Sequence, residues 1–159
     1  MKLLILGMDN TGKTTLAKEL STALNIKVVN SLGPNATKEE MENFILENVM
    51  SPEDLIFERF SFFEEMVYGK ILRDGSKFSF KSPIFKNILN SDVEIIYCRP
   101  DKGTIKNWKC REQMPGVIDE SDKLIKRYDK IIRKVKKHGI KVIKYNYTKE
   151  NALNVISQL

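Results

Sequence analysis

Apolar residues along this 159-residue chain gather in short runs that alternate with stretches of helical spacing. Lys2-Leu3-Leu4-Ile5-Leu6 is short, continuous and apolar, the pattern of a strand buried on both faces. After a glycine-rich turn, Leu16, Ala17, Leu20 and Leu24 fall at helical spacing. Residues 26–30 read as a second strand. Thr37, with Glu40 three positions later, predicts a capping box opening a helix to about residue 49, which Ser51-Pro52 breaks. Leu55-Ile56-Phe57 is a third strand, and the helix after it carries Phe62, Phe63, Met66, Val67 and Ile71 on one side until Gly75. Residues 76–92 are polar, with a short helix after Pro83, and Val93–Cys98 is a fourth strand. Residues 99–118 read as a loop rich in Arg, Lys, Asp and Pro. Leu124, Ile125, Tyr128, Ile131, Ile132 and Val135 then mark an amphipathic helix whose other face is lysine-rich. Ile140–Ile143 is a fifth strand, and residues 149–158 a closing helix.

This alternation predicts an α/β fold: one domain over residues 1–159, with a five-stranded parallel sheet, helices on both faces and a lid at about 99–118. In such a sheet ligands bind at the carboxyl ends of the strands. The composition, 42 % hydrophobic and 30 % charged, is ordinary for a soluble protein. No apolar run approaches the ~18 residues of a membrane span, and no secretory signal is expected before the first strand. A cytoplasmic location is expected. Cys98 and Cys110 sit in unlike contexts and suggest neither a disulfide framework nor, with His138, a metal site.

The turn after the first strand carries the chemistry. Gly7-Met8-Asp9-Asn10-Thr11-Gly12-Lys13-Thr14 matches G-x-x-x-x-G-K-[ST], the phosphate-cradling P-loop, at every fixed position. Strand, glycine-rich turn and helix turn backbone N–H groups and a helix N-terminus toward a triphosphate. Gly7, Asn10, Thr11, Gly12, Lys13, Thr14 and Thr15 are thus expected to bind ATP. Lys13 would reach the β/γ oxygens, and the Thr14 hydroxyl would hold Mg²⁺.

Other strand ends add to this. Glu58-Arg59 closes the third strand. Glu58 is placed to hold a Mg²⁺ water or take a proton from the acceptor, and Arg59 presents a planar fork for phosphate oxygens. Asp9 is an unusual acid in a phosphate-binding loop, either a turn-former or an acceptor for a sugar hydroxyl. In the basic segment after the fourth strand, Arg111 is the expected lid arginine, with Arg99 and Lys109 as alternatives. Tyr145-Asn146-Tyr147-Thr148 is a weakly specific candidate for the adenine border. No N-K-x-D motif reads a guanine on the donor. Together these parts suit a small P-loop kinase acting on a small acceptor.

In this combination the residues resemble the thymidylate kinase-like P-loop family, especially small phage-type members. Asp9-Asn10-Thr11-Gly12-Lys13-Thr14-Thr15 is similar to that family's P-loop, and Glu58-Arg59-Phe60 takes the place of its Asp-Arg-aromatic motif. Val67-Tyr68-Gly69 with Ile71-Leu72-Arg73, and Arg111-Glu112-Gln113-Met114 with Gly116-Val117, resemble the phage-type helix and the lid. The resemblance implies a P-loop kinase fold and ATP- and Mg²⁺-dependent phosphorylation of a deoxynucleoside monophosphate, thymidylate or a relative. It also implies a host cytoplasm if the chain is phage-encoded. Asp9 would sit near the acceptor sugar and Arg59 on its phosphate. Tyr68, with Phe62 or Phe63, would contact the base, although two phenylalanines at helical spacing also fit a core, and Gln113 would join them from the lid.

Three departures touch the acceptor side: Glu58 replaces Asp, the Glu-Pro-Gly-Gly-Thr segment after the second strand is absent, and Glu64 stands where a small hydroxyl residue is usual. They keep a deoxynucleoside kinase open as an alternative. The net charge of +6 concentrates in bases between residues 121 and 150. That basic helix leaves open a polynucleotide hydroxyl acceptor, though a solvated face is the plainer reading. A homodimer is likewise open, since related kinases often pair through helices of this kind.

Overall fold

The computed structural model describes residues 1–73, 75–106 and 115–159. Its sheet has five parallel strands: β1 (Lys2–Leu6), β2 (Lys27–Asn30), β3 (Leu55–Glu58), β4 (Val93–Cys98) and β5 (Lys141–Tyr145). They lie in the order β2-β3-β1-β4-β5. The central β1 pairs with β3 on one side and β4 on the other. All five of its residues are buried, as its unbroken apolar run requires.

Successive side chains point to opposite faces and feed two cores. Leu3, Ile5, Ile56, Ile96 and Ile143 meet Leu16, Ala17 and Leu20 of α1 (Lys13–Leu24) and Val155 of α8 (Ala152–Ile156). Leu4, Leu6, Phe57, Ile95 and Tyr97 meet the larger core, built from α2 (Lys38–Val49), α3 (Ser61–Glu64), α5 (Ile84–Leu89) and α7 (Ser121–Lys137). The capping box forms: Glu40 N–H donates to Thr37 Oγ1 at 3.1 Å, and Thr37 N–H to Glu40 Oε2 at 2.6 Å. The apolar stripe of α7 is buried at all six predicted positions. No helix among the described residues is long and apolar enough to cross a membrane.

Two segments differ from expectation. The helix after β3 is not continuous: α3 passes into a π turn (Glu65–Gly69) before a last turn, α4 (Lys70–Leu72). The wider turn buries five successive residues, Glu65 to Gly69, where an α-helix would rotate some of them outward. Gly69 makes room for it, since a Cβ there would lie 2.7 Å from the Gly75 carbonyl oxygen. The stretch after β4 is not all loop, because Lys102–Lys106 forms a short helix, α6. The middle of the expected lid, with Lys109, Arg111 and Gln113, lies outside the described residues.

Candidate active site

The P-loop folds as its glycines dictate. A Cβ on Gly7 would lie 2.5 Å from the Cys98 carbonyl oxygen and 2.7 Å from Thr11 Oγ1, so only glycine passes there. Gly12 has φ 84° and packs under the Tyr147 ring, while Asn10 also adopts positive φ, at 62°. Gly12 is the N-cap of α1 and offers no side-chain cap. The first N–H groups of the helix therefore face the groove, where they can hold an anion.

Lys13 is 5 % exposed and spans the loop, its Nζ donating to the Met8 carbonyl at 2.6 Å. Burial holds its pKa below the usual lysine value, against the pull of Glu64 and Asp9. Residues 10–15 and Arg59 line a groove of about 460 Å³. The Thr14 hydroxyl donates to Glu58 Oε1 across the groove mouth. A hydroxyl and a carboxylate in contact are a hard-oxygen pair that fits Mg²⁺, which takes its other ligands from phosphates and water.

β3 ends in a sharp turn. Arg59 adopts φ 71°, unusual for a non-glycine residue, while its N–H still donates to Ile5 O at 3.1 Å. The turn carries the guanidinium into a set of buried acids and phenols. Nη2 of Arg59 donates to Asp9 Oδ1 at 3.0 Å, and Nη1 stands 3.9 Å from Glu64 Oε2. Glu64 Oε1 accepts from the Tyr128 hydroxyl at 2.7 Å, and the Tyr68 hydroxyl lies 3.4 Å from Asp9 Oδ1. Burial pushes the Glu64 carboxyl up, opposed by Lys13 and Arg59. Burial lowers the Arg59 pKa, but Glu64 and Asp9 outweigh it and raise the value overall. Asp9 is 2 % exposed, and its Oδ2 has no hydrogen-bond partner among the described residues.

Beside this cluster opens a second cavity of about 430 Å³. Ser31, Leu32, Pro34, Met41 and Tyr68 form its walls, with Arg59, Glu64, Glu65 and Arg73 as its charged groups. Arg59 lines both this cleft and the P-loop groove.

No family model matches the chain, and no curated protein matches it. Solved structures do. The YorR protein of Bacillus subtilis, in complex with phosphorylated GDP, superposes with a TM-score of 0.70 at 18 % identity, over 99 % of this chain and 92 % of that one. The deoxyadenosine kinase of M. mycoides with bound dATP gives 0.63 at 17 % identity, over 99 % and 96 %. The thymidylate kinase of Ehrlichia chaffeensis gives 0.60 at 15 % identity, over 99 % and 97 %. The fold is that of the P-loop nucleoside and nucleotide kinases.

Within this kinase fold, the predicted site residues separate into two groups. Lys13, Thr14 and Arg59 line the P-loop groove and Arg59 and Tyr68 the second cleft, while Glu58 and Asp9 bond to these residues. Phe62 and Phe63, expected at the base, do neither. Both are fully buried in an aromatic cluster, Phe62 stacked on Phe78 and Phe85 and Phe63 edge-on to Phe62. Their helical spacing reflects core packing: neither ring lines either cavity, whereas the equally buried Tyr68 does line the second. Arg99, an alternative lid arginine, is held on α7: Nε and Nη2 donate to Asp129 Oδ1 and Oδ2 at 3.1 and 3.2 Å. Tyr147 of the weak adenine candidate packs on the P-loop backbone at Gly12.

Sequence reasoning gave no role to the Glu64–Tyr128 bond or to the Glu65–Arg73 pair. One signal was visible: two adjacent acids, Glu64 and Glu65, inside an otherwise apolar helical stretch. Charges on a buried face have partners or tasks.

Proposed function

We propose that the protein is an ATP- and Mg²⁺-dependent phosphotransferase that phosphorylates a deoxynucleoside monophosphate, thymidylate or a relative, to the diphosphate. The observation that carries this is Arg59. Among the described residues it is the one common to the P-loop groove and the second cleft. A donor in the groove and an acceptor in the cleft would meet at its guanidinium, where charge builds during transfer.

The roles follow from position. The α1 N-terminus and Lys13 hold the β/γ-phosphates. The Met8 carbonyl keeps the ammonium in place until the phosphates arrive. Thr14 and Glu58 would hold Mg²⁺, which neutralises phosphate charge when bound. Arg59 orients the acceptor phosphate, Asp9 accepts from its sugar, and Tyr68 walls the cleft. Arg111 and Gln113 are proposed to close over the site as lid residues, and loss of Arg111 is expected to cost ~10³-fold or more in kcat.

One observation favours a second reading, a deoxynucleoside kinase. Two carboxylates, Asp9 and Glu64, already flank Arg59, which offsets the charge it offers to an acceptor phosphate. The free Asp9 Oδ2 could instead take the proton of an attacking hydroxyl. Transfer from labelled γ-phosphate ATP decides between them. The panel holds deoxynucleoside monophosphates, the matching nucleosides, and single- and double-stranded DNA. Label in a diphosphate supports the first reading and label in a monophosphate the second. Label in polymer alone, or in no acceptor, would overturn both.

A further inference from the structure

The net charge of the whole chain sits on one helix. In α7, eight residues are Lys or Arg and two are Asp, a balance of +6 that equals the +6 of the full chain. The two acids are engaged elsewhere. Asp122 Oδ1 lies 2.6 Å from Lys102 Nζ, and Asp129 accepts from the Tyr97 hydroxyl at 2.7 Å and from Arg99. Lys126, Lys130, Lys134 and Lys137 are exposed and stand three or four residues apart, with no ion pair among the described residues. Like charges at this spacing repel and destabilise a helix.

A groove opens on each flank of this ridge. One, of about 690 Å³, lies between α7 and residues 78–81. Phe80 and Ile131 wall it, and its charged groups are Lys81, Arg127, Lys130 and Lys134, with no acid. The other, of about 830 Å³, lies between α7 and strands β4 and β5. Ile132 and Val142 wall it, and Arg99, Arg133, Lys136 and Lys144 stand there against one acid, the already paired Asp129. No described residue of α7 lines the P-loop groove or the second cleft.

We infer that α7 and its two flanking grooves bind single-stranded nucleic acid, on a surface separate from the two cavities of the candidate active site. Charge complementarity carries the assignment. A polymer with one anion per nucleotide sets phosphates between the lysines, relieves their repulsion and releases its own counterions. The apolar walls then take unpaired bases. Phe80 is half-buried, and the exposed Lys134 lies over its ring at 4.6 Å. That ammonium can swing to a phosphate and leave the ring face to a base. A duplex keeps its bases stacked inside and would leave both walls bare. An anionic bilayer fits less well, because the apolar stripe of α7 is buried and cannot insert. A second copy of the same face would meet like charge.

The test is fluorescence anisotropy of the full chain with a dye-labelled single strand of about 20 nucleotides and with the matching duplex. Vesicles of phosphatidylserine and phosphatidylcholine form a third arm, read by co-sedimentation. Contact with about five phosphates predicts a ~10²-fold loss of strand affinity between about 50 and 200 mM salt. Lys130→Gln combined with Lys134→Gln should weaken strand binding ~10-fold or more and make its salt dependence shallower. Arg133→Gln combined with Lys136→Gln should do the same from the other groove. Both double variants should transfer phosphate to small acceptors as the wild type does, and saturating ATP with Mg²⁺ should leave the strand bound. Displacement by ATP would place the strand in the P-loop groove and overturn the inference. So would double variants that bind like the wild type, a duplex bound as tightly as the strand, attachment to vesicles alone, or no binding at low salt.

Discussion

At the scale of single residues, the site is a small charge system in which burial sets the terms. Lys13 is held by a carbonyl and not by an acid, and burial dominates its electrostatics. Lys13→Met keeps the stem and removes the charge. It should cut kcat at least ~10²-fold, as loss of one transition-state donor does. Its urea midpoint should stay level or rise. A variant that transfers normally would remove Lys13 from the reaction. Glu64 gives a pH signature. Its pKa is raised in the fold, so the unfolded chain loses this proton first as pH rises. Between the two pKa values the folded state binds more protons, and stability falls with rising pH. Urea unfolding from about pH 4.3 upward should show that decline, and Glu64→Gln should flatten it while keeping an acceptor for Tyr128. Equal slopes in both proteins would mean that Glu64 is not desolvated.

At the scale of elements, the P-loop, Glu58 and Arg59 stand at strand ends or a helix start, whereas Glu64 and Tyr68 come from the helix and π turn after β3. The cap of α2 is a purely structural device, so Thr37→Ala should cost about 1 kcal/mol in urea unfolding and leave transfer untouched. Gly69→Ala should act on both, because the added methyl meets the Gly75 carbonyl oxygen at 2.7 Å. A loss of about 1–3 kcal/mol with a raised acceptor KM is expected, and an unchanged KM would uncouple the π turn from the cleft.

The strands, α1, the α2 cap and α7 were legible because each writes a local pattern: an apolar run, a glycine spacing, a Thr-x-x-Glu box, a helical stripe. Glu58 and Arg59 were legible because they end such a run. The π turn was not, since apolar residues at i, i+3 and i+4 look the same whether the backbone keeps 3.6 residues per turn or widens. The same spacing hid the direction of Phe62 and Phe63. The Glu65–Arg73 pair lies eight residues apart on a path that only the wider turn brings together. The second cleft thus depends on irregular backbone, whereas the P-loop groove follows from a motif.

At the scale of the molecule, the sheet sets two cavities side by side at the carboxyl ends of its strands, with Arg59 between them. The central claim is that donor and acceptor occupy both at once. Calorimetric titration with adenosine and a deoxynucleoside joined through four or five phosphates tests it most directly. The account predicts that a linked ligand binds ~10²-fold or more tighter than either half. Five phosphates should suit a monophosphate acceptor and four a nucleoside. Arg59→Lys, which keeps the charge but loses the fork, should erase most of the gain. A linked ligand that binds no more tightly than ATP alone would contradict the account.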